Sequence, residues 1–270
     1  MSHSDQAALG EGAENLTVNH GEEPSAASVH ERKRQAITAL IPGWYNPWVH
    51  LAIPTAIGLA IVIGAATQIH ALRLVELLAI PASLLLAFFF EWNAHKYVLH
   101  RRSPFVGIIY ERHELQHHVI YTDQDMAMRS RREFWLILVP AYAICLIFVT
   151  ASPLAFALYK LFSLNVALLF LATSMVFFVS YEWMHLSYHL PEESAIGRLK
   201  LIAVLREHHR LHHDPRLMQK WNFNVTVPVF DWIYRTNWSL AREAQRPQKH
   251  APRRRPGASR GAGAPHPHAS

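Results

Sequence analysis

Leu161–His189 reads LFSLNVALLFLATSMVFFVSYEWMHLSYH. From Leu161 to Ser180 it carries no charge and is almost wholly apolar. As a helix that length crosses the roughly 30 Å hydrocarbon core of a bilayer. The polar end that follows places His185 and His189 four residues apart, a spacing that shares one helix face. A membrane span that ends in two imidazoles is the unit from which the rest of the chain is read.

Working outward, three more stretches are long and apolar enough to span: Trp48–Ile69, Leu72–Phe90 and Phe134–Ala151, with Glu76 the only charge in the four apart from Arg73 at the start of the second. Pro54, Pro81 and Pro140 are expected to kink their helices, which a packed bundle tolerates. About half the residues are apolar, 51%, more than a soluble domain needs. The fold class expected is an all-α membrane protein: four transmembrane helices with a cytoplasmic helical cap carrying a histidine-rich dimetal site.

Basic residues orient it. Arg32, Lys33 and Arg34 precede the first span; Lys96, Arg101, Arg102, Arg112, Arg129, Arg131 and Arg132 separate the second from the third; Arg198, Lys200, Arg206 and Arg210 follow the fourth. The two opposite connections hold only Arg73 and Lys160. Both termini and the histidines are therefore expected in the cytoplasm. The lone cysteine, Cys145, excludes an intrachain disulfide and suits a reducing compartment. The net charge of +6 follows from this topology and a basic tail, so nucleic-acid binding is not expected. No internal repeat or nucleotide-binding glycine loop occurs. Three segments result: an acidic, disordered leader without a cleavable signal over 1–34, a membrane domain over 35–240, and a disordered basic tail over 241–270.

Eleven of the nineteen histidines form four clusters: His95-x4-His100, His113-x3-His117-His118, His185-x3-His189 and His208-His209-x2-His212-His213. Steps of three and four put His113 with His117, and His209 with His212 and His213, on shared helix faces. The second ring of each doublet turns by about 100° and can reach a second metal. The five-residue step from His95 fits a helix end that unwinds. His50 and His70, at the ends of the first span, and His3, His20, His30, His250, His266 and His268, in the tails, are assigned no metal. Imidazole suits iron, zinc, copper and nickel, and one ion needs only three or four rings. Burying so many rings without a metal would leave polar nitrogens wanting partners.

Two shorter patterns compete. His113-Glu114-Leu115-Gln116-His117 has the H-E-x-x-H form of zinc proteases, with the glutamate as general base. Glu114-x-x-His117 and Glu182-x-x-His185 match the carboxylate-bridged di-iron pattern. Both leave most rings idle, so Glu114 and Glu182 are read as partners that orient imidazoles. A metal transporter would place its ligands near the bilayer midplane, not beyond the helix ends.

The four boxes, in this order and spacing, resemble those of the fatty acid hydroxylase/sterol desaturase superfamily of integral-membrane histidine-box oxygenases. The likeness runs from about Trp48 to Trp238 and includes the closing stretch Trp221–Trp232, followed by Arg235-Thr236. The resemblance implies metal ligands at His95, His100, His113, His117, His118, His185, His189, His209, His212 and His213. It implies supporting roles for Asn222, Asn224 and Asp231; His208, the extra ring of its cluster, is given a supporting place as well. It further implies two iron ions, O2 as co-substrate and a lipid substrate. With no fused haem domain in the chain, electrons are expected from a separate donor, cytochrome b5-like or ferredoxin-like. Iron is favoured over zinc because zinc is redox-silent, although zinc may fill histidine sites in purified protein. The expected reaction is hydroxylation of an acyl chain, sterol or related lipid, with desaturation the nearest alternative and a zinc protease on HELQH the next. Phe88, Phe89, Phe90, Trp92, Phe177, Phe178, Tyr181, Trp183 and Tyr188 lie nearest the boxes, as interfacial anchors or pocket walls. Ile196–Leu205 is expected to lie in the interface over the site.

Overall fold

The computed structural model describes residues 25–104 and 107–244. Among them every regular element is helical, and the only β-pairing is an isolated bridge between Thr122 and Asp125. Four helices are long and apolar enough to cross a membrane. They are α2 (Pro47–Gln68), α3 (Ala79–Ala94, entered through a 3₁₀ turn Leu74–Leu78), α7 (Ala143–Leu161) and α8 (Leu164–Tyr188). Large apolar side chains such as Leu59, Ile63, Phe90, Val149 and Phe156 face outward, where a lipid environment would cover them.

Local chemistry sets the helix ends. Asn46 Oδ1 accepts the Trp48 and Val49 N–H groups, with Pro47 in the first turn, where a missing N–H costs nothing. Ser163 Oγ caps α8 by accepting Val166 N–H. Helix α8 is the hub: α2, α3 and α7 all pack on it. At Gly58 a Cβ would come 2.6 Å from Val179 Cγ2, so glycine is what lets α2 approach α8 so closely. Glu76, the one charge expected within a span, is buried at the end remote from the histidines, where it accepts from Ser163 Oγ (2.5 Å), Asn165 Nδ2 (3.0 Å) and Arg73 N–H (2.8 Å).

The third span is displaced from its expected place. Instead of one helix over Phe134–Ala151, a single turn Phe134–Ile137 ends at Leu138, and the membrane helix starts at Ala143. Pro140 ends one helix and does not kink another: it has no N–H to donate, and the residue before proline avoids the helical region. The break is held on both sides. Val139 N–H donates to the Glu182 carboxylate (3.2 Å), while Val139 O accepts from His50 Nε2 (2.9 Å), whose Nδ1 accepts from Tyr45 OH (2.7 Å). Pro81 lies in the first turn of α3, leaving Pro54 and Pro153 as the prolines inside membrane helices.

Six shorter helices build the histidine end: α1 (Ala26–Ala39), α4 (Gly107–Arg112), α5 (His118–Ile120), α6 (the Phe134–Ile137 turn), α9 (Lys200–His212) and α10 (Val229–Ile233), followed by α11 (Trp238–Ala244). The leader departs from expectation where it can be described: α1 starts within it, and Arg34 is buried. Residues 1–24 and 245–270, with the disorder expected there, lie outside the described residues. Helix α9 buries Ile202 and Leu205 but exposes Leu201 and Val204, an apolar outer face for an interfacial segment.

Candidate metal centre

Two π-helical turns set the site. His95–Leu99 prolongs α3, and His113–His117 prolongs α4, with His118 N–H bonded to His113 O. A turn that closes i→i+5 brings residues five apart over one another. His95 and His100 accordingly stack, with ring centroids 5.0 Å apart and planes 19° apart. In the second turn His118 is the residue five after His113, and their Nε2 atoms lie 3.1 Å apart.

Nine imidazoles fall into two groups whose ligand atoms lie within 4.8 Å of one another: His95, His100, His113, His118 and His212 in one; His117, His185, His189 and His209 in the other. His213 sits between them, its Nε2 3.2 Å from that of His117 and 3.0 Å from that of His209, its ring 4.3 Å from that of His118. All ten rings are buried. The doublet His117-His118 is divided between the groups, and in His212-His213 the second ring lies between them. His113 and His117 share a face as their spacing implies, their rings stacked at 5.4 Å, yet they fall in different groups across a π turn.

The outer nitrogens show what holds the rings. Nδ1–H donates to a backbone carbonyl in five: His95 to Phe223 (2.5 Å), His117 to Leu136 (3.0 Å), His189 to Met126 (2.8 Å), His212 to Trp221 (3.0 Å) and His213 to Tyr121 (2.6 Å). In His100 the partner is Glu114, which also accepts from Gln219 Nε2 (2.9 Å). A carbonyl can only accept, so these tautomers are fixed and Nε2 carries a bare lone pair. His117 and His213 thus point two lone pairs at each other across 3.2 Å. One must be protonated, or both must face a cation. Burial first, then neighbouring imidazoles, push both pKa values well below the usual histidine range, which disfavours the proton. Both nitrogens of His185, Nε2 of His189 and Nδ1 of His209 are buried without a hydrogen-bond partner among the described residues. Metal ions fit this donor set.

Beyond the rings, the closing stretch acts through its backbone. Asp231, fully buried, accepts from Phe223 N–H (2.9 Å), Asn224 N–H (2.8 Å), Thr236 Oγ1 (2.6 Å), Trp92 Nε1 (3.2 Å) and His208 Nε2 (3.2 Å). This cradle presents Phe223 O to His95. Asn224 donates to Glu91 Oε2 (2.7 Å) and accepts from Phe230 N–H (2.9 Å). Asn222 takes a left-handed φ of 58°, which asparagine tolerates, and donates to His208 O (2.9 Å). Glu182 does not orient an imidazole: lying beside the Pro140 break, its carboxylate takes Val139 N–H. Of the aromatic residues near the boxes, Trp92, Phe178 and Tyr188 are buried, Phe90 and Trp183 face outward, and only Tyr181 lines a cavity that reaches the histidines.

Two supports carried no sequence signal. Glu91 gathers Val225 N–H (3.0 Å), Thr226 N–H (2.9 Å) and Thr226 Oγ1 (2.9 Å) besides Asn224, tying the closing stretch to α3. Arg34 reaches Glu133 (2.5 Å), Asp125 (3.2 Å) and Ala127 O (3.1 Å); Glu133 also accepts from Tyr121 OH (2.8 Å). That network fixes the loop whose Tyr121 and Met126 carbonyls hold His213 and His189. Arg34→Ala leaves the Glu133 carboxylate buried and unpaired, at a cost of about 3–5 kcal/mol. Metal affinity should fall about 10- to 100-fold, as for other groups that hold ligands in place. Chelator competition on the purified protein measures it, and unchanged retention would remove Arg34 from the site's support.

The family model described as fatty acid hydroxylase matches residues 80–236, more than half the chain. Among solved structures, the chain is similar to full-length Scs7p, in which only the hydroxylase domain is visible, with 18% identity and a TM-score of 0.48 over 71% of this chain and 66% of that one. Comparison with curated proteins finds no match.

Proposed function

We propose that this chain, which belongs to the fatty acid hydroxylase family, hydroxylates a membrane lipid at a pair of iron ions held by its buried histidines. The observation that carries the reading is the double set of converging imidazole nitrogens, each set large enough for one ion. His95, His100, His113, His118 and His212 would hold one ion; His117, His185, His189 and His209 the other, with His213 between. When bound, iron supplies the redox chemistry that activates O2 with two electrons from a separate donor, which zinc does not.

The chain's own residues do the rest. Carbonyl acceptors at Nδ1 keep the rings aimed inward and raise their basicity as ligands. Asp231, Asn222, Asn224 and His208 keep Phe223 O in place behind His95. An apolar chamber beside the rings admits alkyl carbon and excludes water. The excess of Lys and Arg at the histidine end puts that end, and both termini, in the cytoplasm.

A zinc protease on HELQH is disfavoured by Glu114, whose carboxylate is engaged by His100 and Gln219. Lipid analysis of cells with and without the gene tests the proposal. Species gaining one oxygen are expected, and Glu114→Ala should lower their yield about 10- to 100-fold through the loosened His100 ring. Proteolysis that requires Glu114, with lipids unchanged, would overturn the reading. Products lacking two hydrogens would convert it to desaturation.

A further inference from the structure

Of the two cavities described, the larger, about 600 Å³, lies at the Glu76 end, remote from the histidines. The smaller, about 90 Å³, is lined by His113 from one group and by His117 and His185 from the other. Its remaining walls are apolar apart from Tyr142, Tyr181 and Arg112, and they are built from the Leu136–Pro140 break that displaced the third span. The volume is roughly that of three liquid waters. Only a short piece of alkyl chain fits, so the rest of a substrate must leave past the lip, where Tyr142 and Leu146 are exposed.

Arg112 directly precedes His113 and is half-buried on the chamber wall. Its guanidinium lies 4.6 Å above the Trp135 ring and donates to Trp135 O. Among the described residues no carboxylate forms an ion pair with it: Glu182 lies near enough to favour its charge, but that carboxylate is turned to Val139 N–H. A guanidinium has five donors in a planar fork suited to carboxylate or phosphate, and here one is used within the protein. A part-buried cation on the wall of an otherwise apolar chamber, hydrogen-bonded to no carboxylate among the described residues, has donors to offer an anionic ligand.

We infer that Arg112 binds the anionic head, carboxylate or phosphate, of an acyl lipid whose chain enters the chamber between the two histidine groups. This deepens the lipid-hydroxylase reading by naming the substrate class, and so rests on it. The anionic oxygens receive the free N–H donors of Arg112, the Trp135 ring keeps the fork in plane, and the apolar walls take the chain. A sterol or neutral glyceride has nothing to offer that fork.

The test is binding to the purified full-length protein in neutral detergent, which needs neither turnover nor electrons. The probes are oleate, oleoyl lysophosphatidate and monoolein, each displacing a fluorescent fatty acid. The wild type should bind at least one anionic probe about 10- to 100-fold more tightly than monoolein, the scale of a charge-assisted hydrogen bond. Whichever anion binds better identifies the head. Arg112→Gln should remove that preference and leave monoolein unchanged, while Arg112→Lys retains part of it. Equal losses for charged and neutral probes would make Arg112 a wall residue and overturn the inference. So would a wild type that does not distinguish oleate and lysophosphatidate from monoolein, whether or not the variants fold. Anion-selective binding with no oxygenated lipid in cells would instead count against the hydroxylase reading alone.

Discussion

His209→Ala is expected to abolish lipid hydroxylation and to lower the bound metal from about two ions per chain to about one. His209 belongs to the four-histidine group, its Nε2 3.0 Å from that of His213 and its ring 4.8 Å from that of His185. It is buried. Loss of one ligand from such a group should cost on the order of 10³-fold or more in rate, about 4 kcal/mol. The other five histidines keep their partners, so one ion should remain. The comparison with His70→Ala is informative, since His70 lies exposed at the far end of α2 and its loss should change neither quantity. A protease centred on His113 and His117 would survive His209→Ala at least in part. Oxygenated lipid and metal content are measured on the same membranes.

Asp231→Ala is expected to produce a large loss of stability. The carboxylate is fully buried and takes five donors from four segments: α3, α9, the closing stretch itself and the Thr236 turn. Removing it leaves the Phe223 and Asn224 N–H groups without acceptors in the interior, while the Trp92 indole keeps Thr236 Oγ1. Each such group costs about 1–3 kcal/mol, for a total on the order of 4 kcal/mol after relaxation. At roughly 2–4 °C per kcal/mol for a domain of this size, the midpoint of thermal unfolding should fall by about 8–16 °C. Asp231→Asn keeps one acceptor oxygen and should lose less. A variant with wild-type stability would show that the cradle does not hold the closing stretch.

Much of this architecture is legible from residue types. Hydropathy finds α2, α3 and α8 because a bilayer demands long uncharged runs, and it finds the histidine clusters at their ends. It misplaces α7, since the apolar run continues across Pro140. Pro140 ends the helix there, and the distant groups Glu182 and His50 hold the break by satisfying the Val139 amide and carbonyl. His117 and His118 divide between the groups as a turn of about 100° requires. The assignment of His113 and His117 to different groups is illegible, because no periodicity in the sequence announces a π turn. The ring-orienting acceptors are invisible for a different reason: they are backbone carbonyls of Leu136, Tyr121, Met126, Trp221 and Phe223, and every residue type has one. Arg34 hides in a basic run that membrane topology already explains.

The number of metal ions in the purified full-length protein tests the two-centre claim most directly. Elemental analysis should find close to two per chain, iron where expression supplies it and zinc where it does not. A value of one or below in protein that retains its fold would contradict two converging sets of imidazoles, whatever the activity of the sample.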